Sequence, residues 1–326
     1  MKHIQPLDTF LKHMTNSKQY HELQSVLTGK VIKASQSPLR LSLRFVYQHL
    51  EAISKLKTFK YRYTPELEAF AECLMATPMP CASHYLETVC HHPAIPLNHC
   101  VELEQMRAWF STFLNALYER LNSPALKQLQ NAHQKQMNRS RKSLCRYVDV
   151  LFKKYARLLA VRVDFSYTED VELAQLESDL LAFYESSRHN PLFDDMAGYV
   201  LKIEHGLDKG LHVHALLFFD GAKRKGSSHI AQEIGKHWAC GIVGAYGFYW
   251  NCHADKANYE RLKRLGIGDI RYTDTELIAN LKRYILQYFC KRQQYIKPIA
   301  KPKMRLIRRG DLPRISNKGA PRKYKQ

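Results

Sequence analysis

Near the middle of the chain, two short apolar runs flank a glycine-bearing turn, and they limit the fold more than any other stretch. Gly198–His205 (GYVLKIEH) and Leu211–Phe219 (LHVHALLFF) have strand length, and the five residues Gly206–Gly210 between them are enough only to reverse the chain. A hairpin closed by that loop puts His205 opposite Leu211, Glu204 opposite His212 and Lys202 opposite His214. Alternate strand residues share a face, so both imidazoles point one way while Leu211, Val213 and Ala215 point the other. Glu204 joins the imidazoles at a Cβ separation of about 5 Å. Two imidazoles and a carboxylate suit Mg²⁺ or Mn²⁺, with coordination positions left for water and phosphate oxygens. The pair alone would mean little in a chain of 16 histidines. A bulge in the hairpin would exchange Glu204 for His205.

The flanking sequence predicts strands at 157–167 and 245–253 and helices at 171–187, 229–239 and 274–295, the last with Asp274 or Thr275 as its N-cap. The order β-α-β-β-α-β-α reads as an α+β fold, a mostly antiparallel sheet with helices on it. Before it, residues 1–126 read as mainly helical, with helical spacing in Leu41, Phe45, Leu50 and Ile53 and again in Trp109, Phe113, Leu114 and Leu117. Prolines 78, 80, 93 and 96 interrupt that region. The expected division is 1–126 helical, 127–154 a basic bridge, 155–297 the mixed domain and 298–326 a loosely packed basic tail.

Charge names the class of partner. Lys and Arg number 50 against 30 acids, a net charge of +20 over 326 residues. Lys291–Gln326 holds 13 basic residues and one acid, and Lys127–Arg162 holds 10 and one, so the rest of the chain is close to neutral. Two basic blocks on a neutral body point to a polyanion, above all nucleic acid. In the bridge, Lys135, Arg139, Arg141, Lys142 and Arg146 are placed to track a phosphate backbone. No run approaches the ~18 apolar residues of a membrane span, and MKHIQPLDTF lacks the apolar segment of an export signal. Eight cysteines then read as reduced thiols in a cytoplasmic protein. No Gly-x4-Gly-Lys-[Ser/Thr] motif is present, which argues against a built-in ATP motor.

The second chemical feature is Tyr284-Ile-Leu-Gln-Tyr288-Phe-Cys-Lys291. On an α-helix, residues three and four apart are neighbours, so Tyr284, Tyr288 and Lys291 form one polar stripe while Ile285, Leu286 and Phe289 face the core. Glu204 with His212-Val-His214, followed by this Tyr-x3-Tyr-x2-Lys stripe and preceded by the strand Ala160-Val-Arg-Val-Asp-Phe-Ser166, resembles the three motifs of HUH endonucleases that initiate rolling-circle replication. The flow of the chain is similar to the replication-initiator-like proteins of filamentous phages and prophages, the YagK/YfjJ type. The resemblance covers under half of the chain.

The resemblance implies a ferredoxin/RRM-like nuclease core over 155–297. It also implies a tyrosine that attacks a phosphodiester of single-stranded DNA at a replication origin, leaving a 5′-phosphotyrosine and a free 3′-OH. Host helicase and polymerase would be the partners. Lys291, one turn from Tyr288, is the expected aid to a phenol that is a poor nucleophile at neutral pH, and Tyr288 is the expected first nucleophile, with Tyr284 alternating. The other readings are a DNA-binding regulator on the same fold and an HUH transposase.

Two weaker signals remain. Cys73, Cys81, Cys90, His91, His92, His99 and Cys100 contain no Cys-x2–4-Cys spacing, which argues against structural zinc. Tyr246, Phe248 and Trp250 alternate on one strand face and could stack bases, but core packing is the ordinary role of such rings.

Overall fold

The strand-length runs form an antiparallel sheet in the computed structural model, which describes residues 11, 14–18, 20–21, 61–62, 64–77, 101–206, 209–290, 297–298 and 304–314, with backbone alone at 61–62, 101–107 and 297–298. The chain divides into two units, 1–134 with 295–302 and 135–294 with 303–326. The division falls inside one long helix, within the stretch 127–154 read as the bridge. Leu41–Ile53, the four prolines, the Cys/His segment beyond Cys73, and Lys291 lie outside the described residues.

In the first unit, α1 (Pro65–Ala76) starts on a Thr64 cap whose hydroxyl accepts from Leu67 N–H, with Pro65 at the first helical position, where no N–H is needed. It packs on α2 (Val101–Asn122) through Phe70 and Phe113, which meet edge-on at 5.3 Å. Trp109 stacks on Phe113, and Leu114, Leu117 and Leu121 complete the buried face that the helical spacing predicts. Tyr61–Arg62 pair antiparallel with Lys297–Pro298.

The second unit is the mixed domain. It takes the later turns of α3 (Pro124–Lys154) and continues through β1 (Arg157–Tyr167), α4 (Leu173–Ser186), β2 (Met196–Gly206), β3 (Gly210–Asp220) and α5 (Ser227–Lys236). After a π-helical turn at His237–Val243 come β4 (Gly247–Asn251), α6 (Lys256–Arg261), β5 (Gly268–Arg271) and α7 (Thr275–Asn280). A second π-helical stretch at Leu281–Leu286 leads to α8 (Gln287–Phe289), and β6 (Ile307–Arg309) follows. All pairings are antiparallel, in the order β4-β1-β3-β2-β6, with β5 pairing the start of β1 on the edge that β4 uses further along.

The core lies on both faces of β1. Leu158, Ala160, Leu216, Phe218 and Val200 pack under Leu144, Tyr147, Val148 and Leu151 of α3 and under Ile285, Leu286 and Phe289. On the opposite face Phe165 stacks on Trp238 at 4.7 Å and meets Phe183 of α4 at 5.2 Å. Close approach of the segments around β4 depends on two glycines. A Cβ at Gly235 would fall 2.0 Å from the Tyr249 ring, and one at Gly247 would fall 2.3 Å from the Ala239 carbonyl oxygen. Tyr249 is thereby held against α5, and alternation sends Phe248 and Trp250 to the other face.

Two expectations change. The helix over 274–295 is not regular: a wide π turn separates α7 from α8. The basic stretch after Pro298 is not wholly a loose tail, since Ile307–Arg309 pairs with Val200–Lys202 and Leu306 is buried. Its apolar residues give it an edge-strand role that the charge count concealed.

Candidate metal centre and cleft

The hairpin register is the one that loop length implied: Lys202 faces His214, Glu204 faces His212 and His205 faces Leu211. Glu204, His212 and His214 are all buried, and one potential ligand atom from each lies within 4.8 Å of the others. Glu204 Oε2 is 3.2 Å from His214 Nε2 and 3.5 Å from His212 Nε2. His205 stays outside this triad and lines the neighbouring cleft.

The far side of each imidazole is held. His212 Nδ1 lies 3.1 Å from the Gly210 carbonyl oxygen, which can only accept, so Nδ1 carries a proton and Nε2 is the ring nitrogen turned towards Glu204. His214 Nδ1 lies 2.9 Å from Asp164 Oδ1. Carboxylate or carbonyl partners of this kind orient metal-ligating histidines and fix their tautomer. Asp164 arrives from β1, where it pairs with His214 of β3.

Electrostatics agree with this geometry. Burial opposes ionisation of Glu204, but hydrogen bonds from His212 and His214 and the Lys202 charge outweigh it and hold the carboxyl at about 2. Burial likewise opposes charge on Asp164, and His214 and Arg162 bring it down to about 2. Burial pushes His214 down, while Asp164 and Glu204 carry it up to about 9. The buried Glu204 and the half-buried Asp164 flank His214, so positive charge between them is favoured, from a proton on His214 or from a cation on the triad. Glu204 Oε1, buried and without a hydrogen-bond partner, fits the second source.

Of the two tyrosines, Tyr288 reaches the triad: its ring meets His214 edge-on at 5.3 Å. The Arg162 guanidinium lies 5.2 Å from the centre of the same ring, with its Nε 3.7 Å from Asp164 Oδ1. Tyr284 instead carries Arg264 and Arg283 against its ring, at 5.4 and 5.5 Å. The single stripe expected of Tyr284 and Tyr288 assumed regular α-helix, and the π turn over Leu281–Leu286 changes the angular step between them. Lys135, Arg139, Arg141, Lys142 and Arg146 are all exposed on α3 and do not line the cleft.

A cleft of about 470 Å³ opens beside the triad, lined by His212, His214, Asp164, Lys209, Phe248 and Trp250 among others. The aromatic row is therefore not core: Phe248 and Trp250 of β4 are exposed because Tyr249 takes the packed side of the strand, and Tyr246, in the turn before it, is exposed too. Asp164 and Arg162 are the site residues that spacing alone missed. The available signal was a pair of opposite charges two apart in an otherwise apolar strand, which must find partners on one face.

No curated protein and no solved structure matches the chain. The family model of the YagK/YfjJ C-terminal domain matches residues 120–303, which contain β1 to β5 of the sheet, the triad, both tyrosines and the cleft. That match spans more than half of the sequence, and the chain belongs to the YagK/YfjJ C-terminal domain family.

Proposed function

We propose that the protein is an HUH-type endonuclease that nicks and rejoins single-stranded DNA to initiate rolling-circle replication of a phage or mobile element. The observation that carries this reading is Tyr288 set against His214 of the Glu204–His212–His214 cluster. A divalent cation, Mg²⁺ or Mn²⁺, would be held by those three residues and would supply positive charge against the scissile phosphate.

This chain's residues do the rest. The Tyr288 hydroxyl gives up its proton and attacks phosphorus in line, forming the phenolic O–P bond as the P–O3′ bond breaks. The departing oxygen takes up a proton as the 3′-OH. Arg162, over the Tyr288 ring and paired with Asp164, holds a fixed positive charge next to the nucleophile. Asp164 keeps His214 turned towards Glu204. Rejoining is the reverse attack by a 3′-OH on the phosphotyrosine. The exposed basic side chains of α3 and the basic C-terminal stretch supply affinity without selecting the cut, since phosphate contacts carry no base information.

The test is incubation of the full chain with phage or plasmid single strands and Mn²⁺, read as a covalent protein–DNA adduct on a denaturing gel. The adduct should form in wild type and vanish in Tyr288→Phe, in Glu204→Ala and in excess chelator. A wild-type protein that binds the strands but forms no adduct would leave the regulator reading in its place.

A further inference from the structure

Tyr246, Phe248 and Trp250 are 52%, 49% and 50% exposed, and among the described residues they are the aromatic side chains left in solvent. Phe248 and Trp250 stand on β4 and Tyr246 in the turn just before it, and large rings grouped in this way mark an interaction surface more often than scattered apolar residues do. Their position says what interacts. Trp250 pairs with Asp164, and Asp164 pairs with His214, so the indole is on the sheet face that carries the triad. Phe248 pairs with Ser166, two residues along the same face. Phe248, Trp250, His212 and His214 line one continuous cleft.

The chemistry of the cleft selects the group that meets these rings. Asp164, Glu169 and Asp170 line it together with Lys209. Such walls do not attract bare phosphate, so the flat uncharged faces of bases suit this side. The phosphate belongs at the cation-seeking triad. Alternate strand residues stand about 6.6–6.8 Å apart, close to two of the ~3.4 Å base steps along a nucleic-acid strand. A duplex keeps its base faces stacked inside, whereas a single strand offers them. The net charge of +20 supplies the attraction to a polyanion that an apolar protein partner would not need.

We propose that Tyr246, Phe248 and Trp250 form a stacking platform for the bases of single-stranded DNA adjoining the phosphate to be cut. The proposal rests on the reading that a strand is cut at the triad, and it adds the residues that hold that strand. Phe248 and Trp250, within the cleft, take the bases nearest the phosphate, and Tyr246 extends the row.

Tryptophan emission gives a direct readout. Of the three tryptophans, Trp109 and Trp238 are buried, so quenching on addition of DNA reports Trp250. With chelator present, an oligothymidylate of about 15 nucleotides should quench the full-length protein. An abasic strand with the same phosphates, and a duplex, should not. With affinity read from the anisotropy of a dye-labelled strand, Trp250→Ala and Phe248→Ala should each weaken binding roughly 5- to 150-fold, and Trp250→Phe should restore it. The slope of log K against log salt should stay the same in all three, because no phosphate contact is removed.

Equal quenching by the abasic strand or the duplex overturns the platform. So does unaltered affinity in both alanine variants, or Trp250 emission that follows protein concentration and ignores DNA, the sign of a second copy on this face. Adduct formation in Mn²⁺ separates the two ideas. Quenching without any wild-type adduct keeps the platform and removes the cutting reading. Adduct in wild type, with unchanged affinity in both alanine variants, does the reverse.

Discussion

Asp164, half-buried against His214, and His253, buried behind β1, each carry a testable consequence of one side chain. Asp164 touches His214 on the side away from Glu204, the position from which a carboxylate orients a ligating imidazole. Asp164→Asn is expected to weaken Mn²⁺ binding about 10- to 100-fold, the usual cost of losing such a partner, as measured by calorimetric titration; an unchanged affinity would show that Asp164 serves Arg162 alone. His253 is buried behind β1, where its Nε2 accepts from the Arg162 backbone N–H. Burial, reinforced by Lys256 and Arg162, lowers its pKa from 6.5 to about 4. The unfolded chain therefore binds the extra proton first as pH falls. Stability from this group is complete above 6.5 and drains away as pH drops through 4. At pH 5 the loss comes to about 2 kcal/mol. Urea titrations at pH 8 and pH 5 should show this difference in wild type and a smaller one in His253→Gln, which cannot titrate.

At the scale of elements, the wide turn at Leu281–Leu286 decides how many tyrosines reach the triad. A regular helix would have stacked Tyr284 over Tyr288 within one turn. With the π turn, Tyr288 is set against His214 and Arg162 while Tyr284 is set against Arg264 and Arg283. We expect Tyr288→Phe to abolish the first covalent adduct and Tyr284→Phe to keep it within a few-fold in a single-turnover assay, with later rejoining impaired. Peptide mapping of the trapped adduct is the check, and label on Tyr284 alone reverses the assignment.

For the whole molecule, charge and fold meet at the C-terminal end. Residues 315–326 carry four basic side chains and no acid. If they contact the strand, their removal should flatten the slope of log K against log salt by about 3, with melting temperature and cutting position unchanged. Removal of 298–326 should also strip β6 from the edge of β2 and take away the buried Leu306, so this longer truncation should lower the melting temperature as well. Equal melting of the two truncated proteins would mean that β6 adds little to the sheet. No described helix is long and apolar enough to cross a membrane.

What the sequence determined alone was local. Loop length and the two-residue period of a strand follow from covalent geometry, and together they put Glu204, His212 and His214 on one face. The same holds for the buried face of α2, where helical spacing is enough. Tertiary structure decided the rest. Asp164 and Arg162 join the site only through the pairing of β1 with β3, strands some fifty residues apart, which no local period specifies. The π turn depends on how the last helices meet the sheet, and the Tyr-x3-Tyr spacing contains no trace of it. Alternation in β4 was plain in the sequence, but an alternating strand has two faces of equal standing. Only the packing of Tyr249 against Gly235 settled which face is covered and left Phe248 and Trp250 at the mouth of the cleft.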